Sequence, residues 1–180
     1  MTTDQDIIRI YREGGREEAF RLLVQTYQER LYWHIRRMVL DHDDADDCLQ
    51  NTFLKVWRSL DNFRGDAQLY TWLYRIATNE TLTFLSRQQT RGEYTGLDAA
   101  DRLSSDPWFD GDRVQEALQK CIAKLPPRQK AVFLLRYYEE MPYEKIAQVL
   151  ETSEGSLKAS YHHAYEKVKA SMKEMLEANY

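Results

Sequence analysis

Apolar residues recur at three- and four-residue steps along most of the chain, a spacing that predicts amphipathic helices. The first such stretch runs from Glu17 to Leu40 and is interpreted as one long helix. A second predicted helix opens at Asp43 or Asp44, where acidic side chains in the first turn suit the helix dipole. A third spans about Ala67 to Gln88. We therefore expect three or four helices in the first half of the chain.

The periodicity stops and then resumes. Residues 89–110 combine glycine, serine and proline with acidic side chains, which is typical of a linker, and residues 89–112 hold 2 basic and 6 acidic side chains. Four further helices are predicted: Val114 to Leu125, Ala131 to Tyr138, Tyr143 to Leu150, and Ser156 to about Leu176. The predicted fold class is all-α, with small helical domains at residues 1–88 and 112–180 joined by a flexible acidic linker at residues 89–111.

Composition and charge narrow the function. No apolar run approaches the 18 residues that a membrane span needs, and the polar, acidic N-terminus does not look like a secretory signal. We therefore expect a cytoplasmic protein with no membrane span, in which Cys48 and Cys121 are buried thiols. The formal net charge is −4, whereas a free-standing DNA binder is usually basic, because its affinity comes largely from neutralised phosphates. If this chain binds DNA, a partner supplies much of the positive field.

The segments Tyr143–Leu150 and Ser156–Tyr165 form a helix-turn-helix pattern, two short helices around a turn at Glu151–Gly155. In such a motif the second helix enters the major groove of DNA. The candidate DNA-contacting residues on it are Ser156, Lys158, Ala159, Ser160, His162 and His163. The pattern alone leaves open an ordinary helical hairpin with no DNA-binding role.

Five short sequence segments carry the resemblance of this chain to a known family. They are Asp47-Cys-Leu-Gln-Asn-Thr-Phe-Leu-Lys-Val-Trp, Phe63-Arg-Gly-Asp-Ala, Thr71-Trp-Leu-Tyr-Arg-Ile-Ala-Thr-Asn, Leu125-Pro-Pro-Arg-Gln-Lys-Ala-Val-Phe and Pro142-Tyr-Glu-Lys-Ile-Ala. In these strings the chain resembles the extracytoplasmic-function (ECF) group of the sigma-70 family of bacterial RNA polymerase sigma factors. The resemblance covers roughly residues 17–88 and 112–175. It implies a factor that binds core RNA polymerase and directs promoter recognition, DNA melting and transcription initiation. It implies no enzyme activity, cofactor or metal.

The resemblance also implies residue roles. Asp47, Gln50 and Asn51 would bind the clamp helices of the polymerase's largest subunit. The segment from Phe63 to Tyr70 matches the loop that captures a base extruded from the −10 element, a step that needs a pocket and aromatic faces. The −10 set is Phe63, Arg64, Gly65, Asp66, Tyr70, Tyr74, Arg75, Asn79 and Thr83. The second helix of the helix-turn-helix would read the −35 element.

The same resemblance implies two further partners, and this sequence departs from the family's pattern in two places. The second domain would also meet the flap region of the second-largest polymerase subunit, and an anti-sigma factor is a further partner of the kind the family uses. Asn51 departs from the family's usual acid. His163 and Tyr165 stand where arginine is common, which predicts a different −35 preference.

The distance between the two promoter elements determines how far the linker must extend. A flexible linker of 22 residues has a root-mean-square span of roughly 25 Å and reaches about 75 Å when fully stretched. The family's promoter elements lie about two helical turns apart, on the order of 70 Å. A free chain would rarely hold that separation, so we expect polymerase to hold the linker extended.

Two other functions fit parts of the sequence. Asp43-Asp44-Ala45-Asp46-Asp47 has the DDxxD pattern with which helical isoprenoid synthases bind magnesium, but no second carboxylate cluster accompanies it, and acids at a helix N-terminus explain it more simply. A stand-alone helix-turn-helix regulator is the other alternative. The acidic net charge and the matched N-terminal half count against it, and copurification of core polymerase would separate the two.

Overall fold

The structure, a computed structural model, describes residues 1–65, 67–92 and 112–178. Within these ranges it contains eight α-helices and no strand, so the predicted all-α class is confirmed. The helices are α1 (Asp4–Arg12), α2 (Arg16–Val39), α3 (His42–Ser59), α4 (Leu69–Thr90), α5 (Arg113–Ala123), α6 (Pro127–Tyr137), α7 (Tyr143–Leu150) and α8 (Glu154–Glu177), with a 3-10 turn at Leu60–Asn62. None of these helices is both long and apolar enough to cross a membrane.

Helix α1 was not predicted, although the sequence carries its start signal. Thr3 and Asp6 form a capping box, in which the Thr3 amide donates to Asp6 Oδ2 at 3.0 Å and the Asp6 amide donates to Thr3 Oγ1 at 3.2 Å. Gly14, with φ of +93°, and Gly15 separate α1 from α2. A Cβ at Gly15 would lie 2.8 Å from Ile10 Cγ2, so the turn needs glycine there.

Helix ends differ from the predicted ones where the sequence offers two start signals. Helix α6 begins at Pro127 rather than Ala131, since proline suits the first helical position. The predicted turn at Glu151–Gly155 is shorter than expected, because Glu151 itself takes the left-handed conformation with φ of +52°. Gly155 lies inside α8, whose first turn is capped by Ser153 through the Ser156 amide at 3.3 Å.

The buried apolar residues form one continuous cluster that extends through both halves. In the first half, α2 packs against α1, α3 and α4, and its core includes Leu23, Leu31, Ile35, Met38, Val56, Leu73 and Ala77. In the second half, α8 packs against α5, α6 and α7, around Ile122, Phe133, Leu135, Ile146, Val149, Leu157 and Ala164. Cys48 and Cys121 are free, buried thiols, as predicted. Burial raises the pKa of Cys48 to about 12.

The two halves also touch each other, which the sequence did not predict. Helix α4 of the first half packs along α7 and reaches α6, and α2 packs against α6 and α5. The first helix of the predicted helix-turn-helix therefore lies directly on the helix predicted to read the −10 element.

Candidate polymerase and nucleic-acid surfaces

One side of α3 carries the residues predicted to bind polymerase. Asp47, Gln50 and Asn51 are all exposed. The opposite side of α3 is buried through Ala45, Cys48, Thr52 and Val56. The helix is therefore fixed by its apolar side while the polar side, which we call the α3 face, points to solvent.

Leu54 extends the α3 face and was missed by the sequence analysis. It lies one turn after Gln50 and is 52% exposed. A single exposed leucine is common on protein surfaces, so Leu54 is notable for its position beside the residues predicted to bind polymerase. The signal was readable in the sequence as a leucine out of phase with the apolar stripe.

An ion pair connects the α3 face to α4. Lys55 bonds to Glu80, whose side chain is only 10% exposed. Because Glu80 is on α4 and nearly buried, the pair keeps α3 and α4 in register. The residues predicted to bind polymerase and the α4 residues predicted to contact the −10 element therefore lie on two helices that this ion pair connects.

An aromatic contact joins the start of the predicted base-capturing loop to α4. The rings of Phe63 and Trp72 lie 5.1 Å apart, which places Trp72 in the support of the loop. Arg64 is exposed, and Gly65 has φ of +83°, a conformation that a side chain would strain. Asp66, also predicted for this set, lies outside the described residues.

A cleft of about 800 Å³ opens beside this loop. Its lining includes Gly65, Gln68 and Tyr70 together with Arg9 and Arg12 of the unpredicted helix α1. Ligand clefts commonly fall between about 300 and 1,000 Å³, so the space suffices for an unstacked base. The two arginines are further candidates for phosphate contact that sequence reasoning missed.

Helix α4 exposes only part of its predicted −10 set. Arg75, Asn79 and Thr83 follow one another at four-residue steps and are all exposed, so they form one polar stripe. Arg75 is already engaged, because it forms an ion pair with Glu151 at the end of α7. Tyr70 is half-buried, with its ring 6.0 Å from that of Tyr74.

Tyr74 was predicted to stack on the DNA strand, but its ring is fully buried in this conformation. It lies 5.2 Å from the ring of His34, and the Arg30 guanidinium lies 5.8 Å from its centre. Burial raises the pKa of Tyr74 and lowers that of His34 to about 3. The reason for the difference is that α2 covers one side of α4 while the second half covers another. The ring therefore offers DNA no face here.

Helix α8 presents its predicted set almost completely. Ser156, Lys158, Ala159, His162 and His163 are exposed, and Ser160 is half-buried. The opposite side holds the helix in the core through Leu157, Ala164 and Val168.

Arg128 of α6 fixes the turn before α8. Its guanidinium donates to the Leu150 carbonyl and to Thr152 Oγ1, both at 2.6 Å. The side chain connects α6 to the turn between α7 and α8, and it was not singled out in the sequence.

The acidic segment at the start of α3 behaves as a helix N-terminus. Asp41 caps α3 by accepting from the Asp44 amide at 2.9 Å, and Asp44 accepts from Gln88 at 3.3 Å. Across residues 1–65, 67–92 and 112–178, no group of three His, Cys, Asp or Glu side chains could hold a metal ion.

Two family models match the chain. The model described as Sigma-70 region 2 matches residues 23–91, and that described as Sigma-70, region 4 matches residues 115–168. The chain is 32% identical, over 98% of both sequences, to the RNA polymerase sigma-H factor of Pseudomonas aeruginosa. It is 30% identical to the ECF RNA polymerase sigma-E factor of Escherichia coli K12, over 92% of each.

Solved structures show the same fold. CnrH in complex with the cytosolic domain of CnrY superposes with a TM-score of 0.66 at 24% identity, covering 93% of both chains. The sigma factor RpoE bound to the anti-sigma factor NepR from Bartonella quintana gives 0.65 at 21% identity, covering 86% of this chain and 96% of that one. Together with the full-length relatives, the matches establish that this chain belongs to the ECF group of the sigma-70 family of RNA polymerase sigma factors, which are transcription initiation factors and not enzymes.

Proposed function

We propose that three surfaces of this chain divide the work of transcription initiation. The α3 face binds core RNA polymerase, the loop at residues 63–68 and the exposed stripe of α4 read and open the −10 element, and α8 reads the −35 element. The observation that supports this division is that the exposed members of the three predicted sets lie on different elements: α3, the segment before α4 together with α4, and α8. Residues 1–88 and 112–180 then act as separate domains joined by residues 89–111, in the cytoplasm, where polymerase works.

The chemistry of the α3 face suits a basic protein partner. Asp47 supplies a carboxylate, while Gln50 and Asn51 supply amide groups that both donate and accept hydrogen bonds. Leu54 adds apolar area that a partner would cover. The partner is the pair of clamp helices in the largest polymerase subunit, and the second domain would meet the flap region of the second-largest subunit.

The side-chain chemistry of the predicted −35 residues on α8 suits contact with the major groove of DNA. Lys158 provides a fixed positive charge for phosphate or guanine, and Ser156 and Ser160 provide hydroxyls that pair with any base edge. Ala159 leaves room for close approach. Because net charge is −4, polymerase supplies the remaining attraction, and the free protein should bind promoter duplex poorly.

An anti-sigma factor is the further partner we propose. Two sigma factors with this fold have been solved with a second protein bound, one of them named an anti-sigma factor. Exposed Leu54 and Val114 provide apolar surface in both halves that such a protein could cover.

The test concerns the α3 face. The double variant Asp47→Arg, Gln50→Ala should keep the wild-type melting temperature, because both side chains are exposed, but it should fail to retain core polymerase in a pull-down. Placing an arginine against a basic surface costs several kcal/mol. The matched control is Glu17→Arg, Gln25→Ala, which makes the same charge change at exposed positions of α2. Wild-type retention by the first double variant would show that the α3 face is not the polymerase contact.

A further inference from the structure

Helix α1 is fixed to the first half near both of its ends. It has nine residues, a length at which an isolated helix is marginal in water, so its position depends on its contacts. Near its start, Asp4 Oδ1 accepts a hydrogen bond from the Tyr27 hydroxyl of α2 at 2.7 Å. Near its end, the Tyr11 hydroxyl donates to Asp61, in the 3-10 turn after α3. Ile7, between these contacts, is buried. These contacts give α1 a defined position.

Asp61 connects this helix to the base-capturing loop, which begins just after it at Phe63. Its carboxylate also accepts from Arg16 at 2.7 Å, and Arg16 donates in addition to the Trp57 carbonyl. The hydrogen bonds from Tyr11 and Arg16 lower the pKa of Asp61, so the carboxylate keeps its charge at neutral pH. One side chain therefore joins the end of α1, the start of α2 and the turn that leads into the loop.

Apolar side chains of α1 also border the loop. Ile7, Ile8 and Tyr11 line a small cavity of about 100 Å³ together with Phe63 and Leu69. Phe63 begins the loop, and Leu69 begins α4 directly after it. Because the same helix borders both ends of the loop, a shift of α1 would change the shape of the loop.

Arg12 brings a positive charge to the backbone of the loop. Its Nη2 atom lies 3.5 Å from the position that a Cβ atom at Gly65 would occupy. Arg9, one turn earlier, lines the same cleft of about 800 Å³. It pairs with Asp6 at 3.2 Å, but both side chains are exposed, so the pair holds Arg9 only weakly. The two arginines can therefore reach a ligand in the cleft.

The cleft has the charge and the aromatic surface that suit a nucleotide. Among the described residues that line it, the cationic ones are Arg9, Arg12 and Lys145, and the acidic ones are Asp4 and Glu13. The Asp4 carboxylate is already bonded to Tyr27. The balance therefore favours an anion, in a chain whose net charge is −4. Tyr70 also lines the cleft and offers a half-buried ring on which a base can stack.

We propose that α1 forms the phosphate-binding wall of the base-capturing site. Arg12 binds the backbone phosphate of the nucleotide whose base enters the cleft, Arg9 adds a second positive charge, and the bond between Tyr11 and Asp61 sets the position of the helix. The ligand is a strand of unpaired DNA. Arginine suits this role because its guanidinium can donate two parallel hydrogen bonds to one phosphate. The inference rests on the proposed −10 role of the loop at residues 63–68.

The main test removes the arginine and the phosphate charge separately. Holoenzyme binding is measured by fluorescence anisotropy on a labelled promoter whose −10 element is held open by mismatches, with one phosphate at a time replaced by a neutral methylphosphonate. In the wild type, one replacement should weaken binding roughly tenfold, the scale for a hydrogen bond to a charged group. Arg12→Ala should bind the unmodified DNA weakly to the same extent and lose sensitivity at that phosphate alone. The matched control, Arg21→Ala, lies at an exposed position of α2 outside the cleft and should behave as the wild type does.

Tyr11→Phe tests the positioning of α1, because it removes only the hydroxyl that reaches Asp61. The bond is exposed, so the melting temperature should change by no more than about two degrees. Affinity for the opened promoter should fall about threefold, and this loss should disappear when Tyr11→Phe is added to Arg12→Ala, because both changes act on one phosphate contact. A general loss of structure would weaken binding in both backgrounds. Tyr137→Phe, at an exposed position of α6, is the control and should leave affinity unchanged.

Removal of single bases separates this inference from the proposed function. Abasic sites placed along the opened −10 element should weaken wild-type binding at the position where a base enters the cleft. If no base affects binding, base capture by this loop is wrong, and the phosphate-binding wall is wrong with it. If a base matters but Arg12→Ala stays sensitive to every methylphosphonate that affects the wild type, α1 does not bind the phosphate. Equal losses from Tyr11→Phe with and without Arg12→Ala would overturn the positioning of α1 by the bond to Asp61.

Discussion

The two helices proposed to read DNA are similar in length and opposite in surroundings. Helix α4 has nine buried residues and is covered by α2, α3, α6 and α7, whereas α8 has three buried residues and leaves nearly all of its predicted DNA set exposed. Helix α4 is thus both a core element and a reading element, while α8 lies at the surface of its half. The same kind of substitution should therefore have different consequences on the two helices.

Tyr74 and Tyr165 provide the sharpest comparison, and the largest expected effect. Tyr74 on α4 is fully buried and Tyr165 on α8 is 44% exposed. Tyr74→Ala should lower the free energy of unfolding by about 3 kcal/mol, the scale for removing a buried aromatic ring. Tyr165→Ala should change it by less than about 0.5 kcal/mol. Urea titrations followed by circular dichroism measure both, and equal effects would remove the distinction between a core helix and a surface helix.

Substitutions at Asn79 and Lys158 test whether the exposed parts of both helices contact DNA. We expect a smaller effect than at Tyr74, one that changes promoter affinity and not stability. Both side chains are exposed, so Asn79→Ala and Lys158→Ala should leave the melting temperature within a degree or two. Loss of one base contact costs about 1–3 kcal/mol, which corresponds to roughly 5- to 150-fold weaker promoter binding by holoenzyme. Footprints on promoters altered in one element at a time assign each residue. An Asn79→Ala variant with normal −10 opening would exclude the α4 stripe.

The two helices also differ in how well their exposed residues could be predicted from the sequence. Amphipathic periodicity located α7 to the residue and placed the α3 and α8 sets on exposed sides, because those helices bury one stripe only. It misplaced Tyr74, which stands on a helix buried on more than one side, where periodicity no longer separates core from surface. The start of α1 was readable from Thr3 and Asp6 but carried too short an apolar pattern to be recognised.

Contacts between the halves could not be predicted from the sequence. The partners Arg30 and Glu139 are 109 positions apart, and Arg75 and Glu151 are 76 apart. Charged residues on helices are expected on solvated faces, and no local pattern distinguishes those that meet a distant partner. Lys130 follows the two prolines in the matched string and gives no local sign of burial.

A weaker effect is expected at the contact that covers α4. The stability of this contact should depend on pH through Lys130 of α6. Burial at the contact between the two halves lowers the pKa of Lys130 to about 8, whereas an exposed lysine titrates near 10.4. The conformation with the halves in contact therefore binds fewer protons than one in which Lys130 is exposed to water, and its relative stability rises as pH increases from about 8 to 10. Below pH 8 both forms hold the proton and the equilibrium is flat.

The groups around Lys130 limit the window. Arg37 stays charged, and burial raises the pKa of Tyr138, so phenol ionisation opposes the contact between the halves only at higher pH. In pulsed electron paramagnetic resonance, the wild type spin-labelled at Glu17→Cys and Lys173→Cys, both exposed, should show a fraction with the halves in contact that grows between pH 8 and 9.5. The ratio of molecules with and without the contact should change by at most about tenfold per pH unit. Lys130→Met should remove the dependence. A wild-type profile that falls over this range would contradict the burial of Lys130 at the contact.

The smallest effect belongs to the uncovered helix, where a single surface charge is changed. His163 is exposed on α8, at a position where the resemblance to the family leads us to expect arginine. His163→Arg adds a permanent charge at the proposed DNA surface, and each added phosphate contact strengthens binding by a few-fold at moderate salt while steepening the dependence of affinity on salt by about one contact. Stability should not change. Lys169→Met, at an exposed position further along α8, controls for general charge by altering it outside the proposed set. The measurement is holoenzyme affinity for promoter DNA between 50 and about 200 mM salt. If the His163→Arg variant binds promoter DNA as the wild type does at every salt concentration, His163 does not approach the DNA. Recognition of the −35 element would then depend on Ser156, Lys158 and Ser160, which lie nearer the start of the helix.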